Sequence, residues 1–135
     1  MDLLASKHYC LMTYGCQMNE SDSERYAGQL EELGYTPTED PELADVILMN
    51  TCCVRETAED KVLGKIGEFK HLKARNKDLI LAVTGCMAQE WQDRLFKRAP
   101  HLDLVIGTHN IHKLIDLIKE KEGQKESHML ATEME

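Results

Sequence analysis

The sequence predicts an α/β fold: a small, doubly wound, mainly parallel sheet of four or five strands with helices on both faces. Short apolar runs alternate with longer segments of helical periodicity through most of the 135 residues. The central apolar runs contain no polar interruption, which is typical of strands buried on both faces of a parallel sheet. Four strand–helix units in succession therefore imply an open sheet of this kind.

The first half of the chain is predicted to hold two strands and one helix. Residues 9–14 form a short run with partial β propensity. The next segment has apolar residues at helical spacing and ends at Gly34, since a glycine readily adopts the conformation that terminates a helix. A loop with two prolines then leads to the second strand, residues 45–50, whose centre is apolar without interruption.

The second half of the chain continues the alternation of helix and strand. In chain order the predicted elements are a helix over 56–73, a strand over 79–84, a helix over 90–98, a strand over 102–106 and a helix over 110–118. Beyond residue 119 the sequence is polar and has no periodicity. We therefore expect one domain over residues 1–119, followed by a polar tail or linker over 120–135.

Composition and charge narrow the class of protein. Sixteen basic against 24 acidic residues give a net charge of −8, so the domain alone is predicted to be a poor binder of phosphate backbones. No apolar run reaches the ~18 residues that a transmembrane helix needs. Five cysteines without a secretory signal indicate a reducing, cytoplasmic setting, in which disulfides are not expected.

Three cysteines follow the ends of three predicted strands. Cys16, Cys52 and Cys86 are separated by 36 and then 34 residues, about one strand–helix repeat each. Because ligands gather at the carboxyl edge of a parallel sheet, these thiols are expected to lie within reach of a common point. Gly15 and Gly85, each directly before a cysteine, allow the tight backbone that a cofactor pocket often needs.

Several kinds of site remain open for these thiols. Structural zinc sites usually use close pairs such as C-x2-C, which the sequence lacks. Three separated thiolates fit an iron–sulfur cluster with one iron open to an outside ligand, and zinc with His109 as fourth ligand is an alternative. Packing as a small apolar side chain is the other alternative, and it is preferred for Cys10 inside the first strand. Cys53 could compete with its neighbour Cys52.

Three polar residues near the cysteines are candidates for a supporting role. Asn19 and Asn50 could hydrogen-bond cluster sulfides or a substrate, although a helix cap and a strand-end turn are the structural alternatives. Arg55, at a predicted helix start, could offset the negative charge of a cluster or meet substrate. These roles are predicted from sequence position.

Three motifs carry a resemblance to a known family. They are Thr-Tyr-Gly-Cys-Gln-Met-Asn at 13–19, Asn-Thr-Cys-Cys-Val-Arg-Glu at 50–56 and Thr-Gly-Cys-Met-Ala-Gln at 84–89. In this order and spacing they resemble the N-terminal domain of radical-SAM methylthiotransferases, over about residues 9–118. The first motif is more similar to the tRNA-modifying, MiaB-type branch than to the branch that acts on a ribosomal protein.

The resemblance implies a cofactor, a reaction and partners. It implies that Cys16, Cys52 and Cys86 bind an auxiliary 4Fe–4S cluster associated with sulfur delivery. The full enzyme would add a methylthio group to the isopentenylated adenosine beside the tRNA anticodon, using S-adenosylmethionine and a second 4Fe–4S cluster. Its implied partners are tRNA and the sulfur and cluster assembly proteins, with no membrane.

The chain departs from the family pattern in two respects. Cys53 stands where the family more often has Ala or Ser, which leaves the choice of ligand between Cys52 and Cys53 open. The C-x3-C-x2-C motif of the radical centre is absent, so 120–135 is expected to lead toward a missing radical-SAM domain, and the fragment alone is expected to be inactive. The alternatives are a stand-alone iron–sulfur or zinc carrier without catalysis and an α/β binding domain with inert cysteines.

Overall fold

The computed structural model describes residues 7–14, 17–51, 56–76, 78–107, 113–114, 116–118 and 129–131. For 17–22, 56–59 and 129–131 it describes the backbone alone. Within these ranges the strands are β1 (Lys7–Thr13), β2 (Tyr35–Pro37), β3 (Val46–Thr51), β4 (Ile80–Gly85), β5 (Leu104–Ile106) and β6 (Met129–Ala131). The helices are α1 (Gln17–Glu32), α2 (Glu56–Glu68), α3 (Lys70–Arg75), α4 (Cys86–Trp91) and α5 (Arg94–Arg98), and residues 113–114 and 116–118 are also helical.

All described strands form one parallel sheet in the order β2-β1-β3-β4-β5-β6. The predicted α/β class and the parallel sheet are thereby confirmed. The described sheet has six strands where the sequence predicted four or five, because two three-residue strands, β2 and β6, lie at its edges. The chain passes from β2 at one edge to β3 on the other side of β1, so strand order reverses direction between β1 and β3.

The two faces of the sheet carry separate cores. Along β3 the buried side chains alternate, with Val46 and Leu48 in one core and Ile47 and Met49 in the other. The first core includes buried residues of α1 and of 113–118, whereas the second includes residues of α2, α3, α4 and α5. Helices therefore cover both faces, as the uninterrupted apolar strands predicted.

Two predicted helices are broken in the structure. The prediction of one continuous helix over 56–73 is wrong, since α2 ends at Glu68 and α3 starts at Lys70. Phe69, between the two helices, and Leu72 in α3 are both buried in the same core. The helix predicted over 90–98 is likewise broken. Its residues belong to the end of α4 and to α5, which are joined through Gln92, and the φ of 50° at Gln92 is incompatible with a continuous α-helix.

The predicted tail contributes to the sheet. Residues 129–131 lie within the segment 120–135 and form β6, which pairs in parallel with β5. Whether this segment leads to a further domain remains a prediction. No helix within the described ranges is long and apolar enough to cross a membrane.

An ion pair fixes the amino ends of β4 and β5. Asp103 is 3% exposed, accepts a hydrogen bond from the backbone N–H of Leu81 at 2.9 Å and pairs with Lys73 Nζ at 2.7 Å. The Lys73 ammonium also donates to the carbonyl of Leu79. One carboxylate thus connects α3 with both strands.

Asp103→Ala is expected to destabilise the domain by about 2–4 kcal/mol, because it leaves a poorly exposed ammonium and a buried N–H without their partner. The urea midpoint of unfolding measures this loss. Glu42→Ala is the control: it removes an ion pair with Arg75 that is 3.3 Å long and well exposed on both sides, so its cost should stay below about 0.5 kcal/mol. Equal costs for the two variants would contradict the assignment.

Candidate metal centre

The candidate site lies at the carboxyl edge of β1, β3 and β4. Thr13 is level with Asn50, Asn50 with Thr84, and Thr51 with Gly85. The backbone N–H of Tyr14 continues this register by donating to the carbonyl of Asn50 at 2.8 Å. This edge includes the point where strand order reverses, which is where open parallel sheets bind their ligands.

Cys86 is the predicted ligand that the structure describes. It is the first residue of α4, directly after β4, and its side chain is exposed. Cys10, in contrast, lies inside β1 and is 4% exposed. Burial raises the pKa of the Cys10 thiol, with a smaller contribution from Asp40 and Glu39. Cys86 is therefore accessible to a metal, and the predicted packing role of Cys10 is confirmed by its burial.

Gly85 places Cys86 against the neighbouring strand. Its φ of 98° is in the region that favours glycine. A Cβ at this position would lie 2.2 Å from the carbonyl oxygen and 2.8 Å from the nitrogen of Thr51. The backbone before Cys86 thus rests directly on the residue that precedes Cys52.

A first set of hydrogen bonds joins α1 to the ends of β1 and β3. Asn50 is completely buried, and its Nδ2 donates to Ser23 Oγ at 2.9 Å. The Ser23 hydroxyl also pairs with Thr13 Oγ1 at 2.6 Å. The amide of Asn50 therefore fixes the strand ends from inside the fold.

A second set of hydrogen bonds joins α1 to the ends of β3 and β4. Thr51 Oγ1 donates to the carbonyl of Thr84 at 2.6 Å, and Thr84 Oγ1 hydrogen-bonds to the hydroxyl of Tyr26. All three side chains are buried. Sequence reasoning missed Ser23 and Tyr26 in this role, although a tyrosine on the buried face of a helix is a signal because its hydroxyl needs a partner.

Of the other predicted site residues, Asn50 alone is described together with its side chain. Asn19 is in the first turn of α1, where the backbone alone is described. Asn50 is held by Ser23 as given above, and its predicted contact with a cluster sulfide or a substrate stays a prediction. The residues outside the described ranges are Cys16, Cys52, Cys53, Arg55 and His109.

Asn50→Asp is expected to destabilise the domain by about 2–4 kcal/mol at pH 7, because a carboxylate replaces a buried amide donor. Burial raises the pKa of such a carboxyl, so the folded state binds a proton that the unfolded state has released. The loss should therefore grow as pH rises above about 4.

Urea midpoints at pH 5 and pH 8 measure this trend. Asn76→Asp is the matched control: this residue is exposed, and its Oδ1 accepts from the N–H of Asp78, which a carboxylate can also do. It should change stability by less than about 0.5 kcal/mol at both pH values. An equally small and pH-independent change in Asn50→Asp would contradict the buried hydrogen-bond network.

The described residues, which include one of the three predicted ligands, fit a thiolate-bound cluster. In the described part of the chain no three His, Cys, Asp or Glu side chains lie close enough to hold a metal ion, and two of the three predicted ligands are outside that part. What it contains is an accessible thiol, a glycine that allows close backbone approach, and adjacent strand ends that precede the other two cysteines. Thiolates are the usual ligands of iron–sulfur clusters.

A groove of about 440 Å³ runs beside this edge along β1. Its lining residues are Tyr9, Leu11, Thr13, Pro37, Thr38 and Glu39. The Tyr9 hydroxyl donates to Glu31 Oε2 at 2.8 Å. Burial, and to a smaller extent this hydrogen bond, raises the pKa of Tyr9 to about 12, so the phenol is neutral. With one carboxylate and no cation in its lining, the groove is unsuited to phosphate.

Comparison with known proteins identifies a family and named relatives. Residues 8–107 match the uncharacterized protein family UPF0004. The chain is 51% identical over 117 residues to a tRNA-2-methylthio-N(6)-dimethylallyladenosine synthase of Dictyoglomus thermophilum, covering 87% of the chain and 27% of that relative. It is 54% identical over 116 residues to the protein of this name from Oceanobacillus iheyensis, covering 84% and 22%.

A third relative shows the same relation in length. It is the protein of the same name from Bacillus mycoides, 49% identical over 128 residues, with 93% of the chain and 25% of the relative covered. The chain thus spans about a quarter of the length of the curated relatives that it matches. The similarity includes the strands that form the site.

Proposed function

We propose, from the premise that this chain belongs to the family UPF0004, the methylthiotransferase N-terminal domain, that it carries the auxiliary 4Fe–4S cluster of a tRNA methylthiotransferase. The names of the relatives support a transferase that modifies tRNA. We propose further that the whole enzyme adds a methylthio group to isopentenylated adenosine next to the anticodon of tRNA.

The observation that carries the proposal is the position of Cys86. Its exposed thiol starts α4 at the carboxyl edge of the sheet, and the residue before it is level with Thr51, which precedes Cys52. Tyr14, two residues before Cys16, is hydrogen-bonded to the same end of β3. In the sequence, Cys16 follows the end of β1 and Cys52 follows the end of β3, and β1, β3 and β4 are neighbours in the sheet.

The proposed ligands are the thiolates of Cys16, Cys52 and Cys86. Three protein thiolates leave one iron of a four-iron cluster without a protein ligand. When bound, the cluster would take part in the delivery of sulfur to the methylthio group. The chain's own contribution is to hold the ligands at fixed strand ends and to keep the Cys10 thiol out of the site by burial.

The buried hydrogen bonds support this role. Ser23, Asn50 and Thr51 hydrogen-bond the ends of β1, β3 and β4 to one another and to α1, so that the positions at which these strands end are fixed. Preorganised supporting groups of this kind orient metal ligands. Variants that break these hydrogen bonds are therefore expected to lower the occupancy of the site as well as the stability of the domain.

The other functions of the whole enzyme belong to the remaining length of its relatives in this proposal. S-adenosylmethionine and a second 4Fe–4S cluster would be bound by a radical-SAM domain, since the C-x3-C-x2-C motif is absent from this chain. This chain alone is then inactive towards tRNA. Sulfur and cluster assembly proteins are its proposed partners before catalysis, and its proposed location is the cytoplasm.

The test is iron and acid-labile sulfide per chain after anaerobic reconstitution of the wild-type protein. We expect about four irons and about four sulfides per chain, with the broad visible absorption of a brown protein. Iron well below one per folded chain would contradict the cluster. Zinc in its place, without sulfide, would favour the carrier alternative.

A further inference from the structure

The charges of the chain are divided between the two faces of the sheet. Helix α1, on one face, has five acidic residues and one basic residue. Helices α2, α3, α4 and α5, on the other face, have eight basic and five acidic residues. Although the net charge is −8, basic residues therefore outnumber acidic residues in the helices of one face.

Trp91 holds two arginines on that face. The Arg94 guanidinium lies 5.1 Å from the centroid of the Trp91 ring and that of Arg98 lies 5.9 Å from it. Arg94 also donates to the carbonyls of Glu90 and Trp91, at 3.2 and 3.4 Å. Both guanidiniums are thereby positioned before any partner binds, which lowers the entropy cost of binding.

These cations have no carboxylate partner among the described residues. Other cations of the same face do: Lys65 pairs with Glu68, Lys73 with Asp103, and Arg75 with Glu42. By contrast, no carboxylate of the described residues lies within 4.0 Å of the basic groups of α5, which are Arg94, Lys97 and Arg98. All three are exposed. Within the described ranges, α5 thus carries three exposed cations that form no ion pair, beside the single carboxylate of its N-cap residue Asp93.

We propose that Trp91, Arg94, Lys97 and Arg98 form a docking surface for the phosphate backbone of RNA. This inference rests on the proposed function, which brings RNA to the carboxyl edge of the sheet. Trp91 is five residues beyond Cys86, about 7.5 Å along a helix of ordinary rise, so one RNA strand can reach both. Guanidiniums suit phosphate because their planar N–H groups bind its oxygens in pairs.

The charge pattern favours this surface over the groove along β1. The groove offers neutral hydroxyls and the carboxylate of Glu39, which repels phosphate. An RNA backbone presents a dense line of negative charge, and binding it releases counterions, so affinity must fall with salt. An acidic protein segment is the competing partner for the same cations.

The experiment compares two double variants of the 135-residue chain that remove equal charge. Arg94→Gln/Arg98→Gln removes two cations that have no carboxylate partner among the described residues, and Lys65→Gln/Arg75→Gln removes two that have one. Each double variant changes the net charge from −8 to −10. A fluorescein-labelled RNA stem-loop is titrated at about 20 and 150 mM salt and followed by anisotropy. Trp91, the only tryptophan, reports binding at the surface through its emission.

We expect the wild type to bind the stem-loop at low salt with a change in Trp91 emission. The Arg94/Arg98 variant should bind about tenfold more weakly, and its dependence of log affinity on log salt should flatten by about 1 to 2. The Lys65/Arg75 variant should remain within about twofold of the wild type. Circular dichroism and iron content should be unchanged in both variants.

Two outcomes would overturn the inference directly: no RNA binding at low salt, or equal weakening of binding in the two double variants. A third outcome would favour an acidic protein as the partner instead of RNA. It is displacement of the labelled RNA by poly-glutamate at a lower concentration of charge than unlabelled RNA requires. Iron content separates this inference from the proposed function. A chain that loads iron but binds RNA independently of Arg94 and Arg98 refutes the docking surface alone. A chain that binds RNA through these arginines without loading iron refutes the cluster alone.

Discussion

Gly85→Ala is expected to destabilise the domain by about 3–5 kcal/mol, because two costs act at one position. The first is the backbone, whose φ of 98° is strained for any residue with a side chain. The second is steric: the new methyl would lie 2.2 Å from the carbonyl oxygen of Thr51. Since Thr51 is hydrogen-bonded to Thr84, β3 cannot move away without breaking the buried network.

The measurement is the urea midpoint of the iron-free chain, followed by iron content after reconstitution of whatever folds. Gly64→Ala is the matched control, since nothing lies within 4 Å of a Cβ at this position in α2. It should stabilise the domain by about 0.5–1 kcal/mol, because alanine is the better helix former. A loss below about 1 kcal/mol in Gly85→Ala would contradict the close approach of the two strand ends.

Cys86→Ala is expected to reduce iron from about four per chain to less than about one, without loss of stability. Its thiol is exposed and alanine is favourable in a helix, so the free energy of unfolding should change by less than about 0.5 kcal/mol. The thiol is thus expected to matter for the metal and not for the fold.

Cys10→Ala is expected to give the opposite result. This thiol is buried in the core that α2, α3, α4 and α5 share with the sheet, so its removal should cost about 1 kcal/mol and leave iron loading intact. Iron and sulfide assays beside urea midpoints would show whether the two variants separate in this way. Full iron content in Cys86→Ala, or loss of iron in a folded Cys10→Ala variant, would contradict the assignment of ligands.

The central part of the fold could be predicted from the sequence because its strands have a strong signal. Residues 46–49 and 80–83 are apolar on both faces, and this pattern is typical of strands buried in a parallel sheet. The edge strand β2, Tyr35–Pro37, could not be predicted, since three residues, one of them a proline, show no period. Strand β6 is equally short and lies in a polar segment.

The common edge at which β1, β3 and β4 end could be predicted, and the hydrogen bonds that support it could not. A cysteine after each of three strands indicates a common edge, because parallel strands end together. The hydrogen bonds of Ser23 and Tyr26 depend on how α1 packs across β1, β3 and β4, which no local pattern contains. The separation of α4 from α5, which places Trp91 beneath two arginines, likewise depends on the backbone at Gln92.

The most direct test of the central claim is a cysteine footprint of the chain before and after anaerobic reconstitution with iron and sulfide. N-ethylmaleimide labelling is quantified for each cysteine peptide by mass spectrometry. The predicted result is that three thiols lose labelling together when iron is loaded while Cys53 keeps it; these three are Cys16, Cys52 and Cys86. Unchanged labelling of Cys86 in iron-loaded protein would contradict the claim that this edge of the sheet holds the cluster.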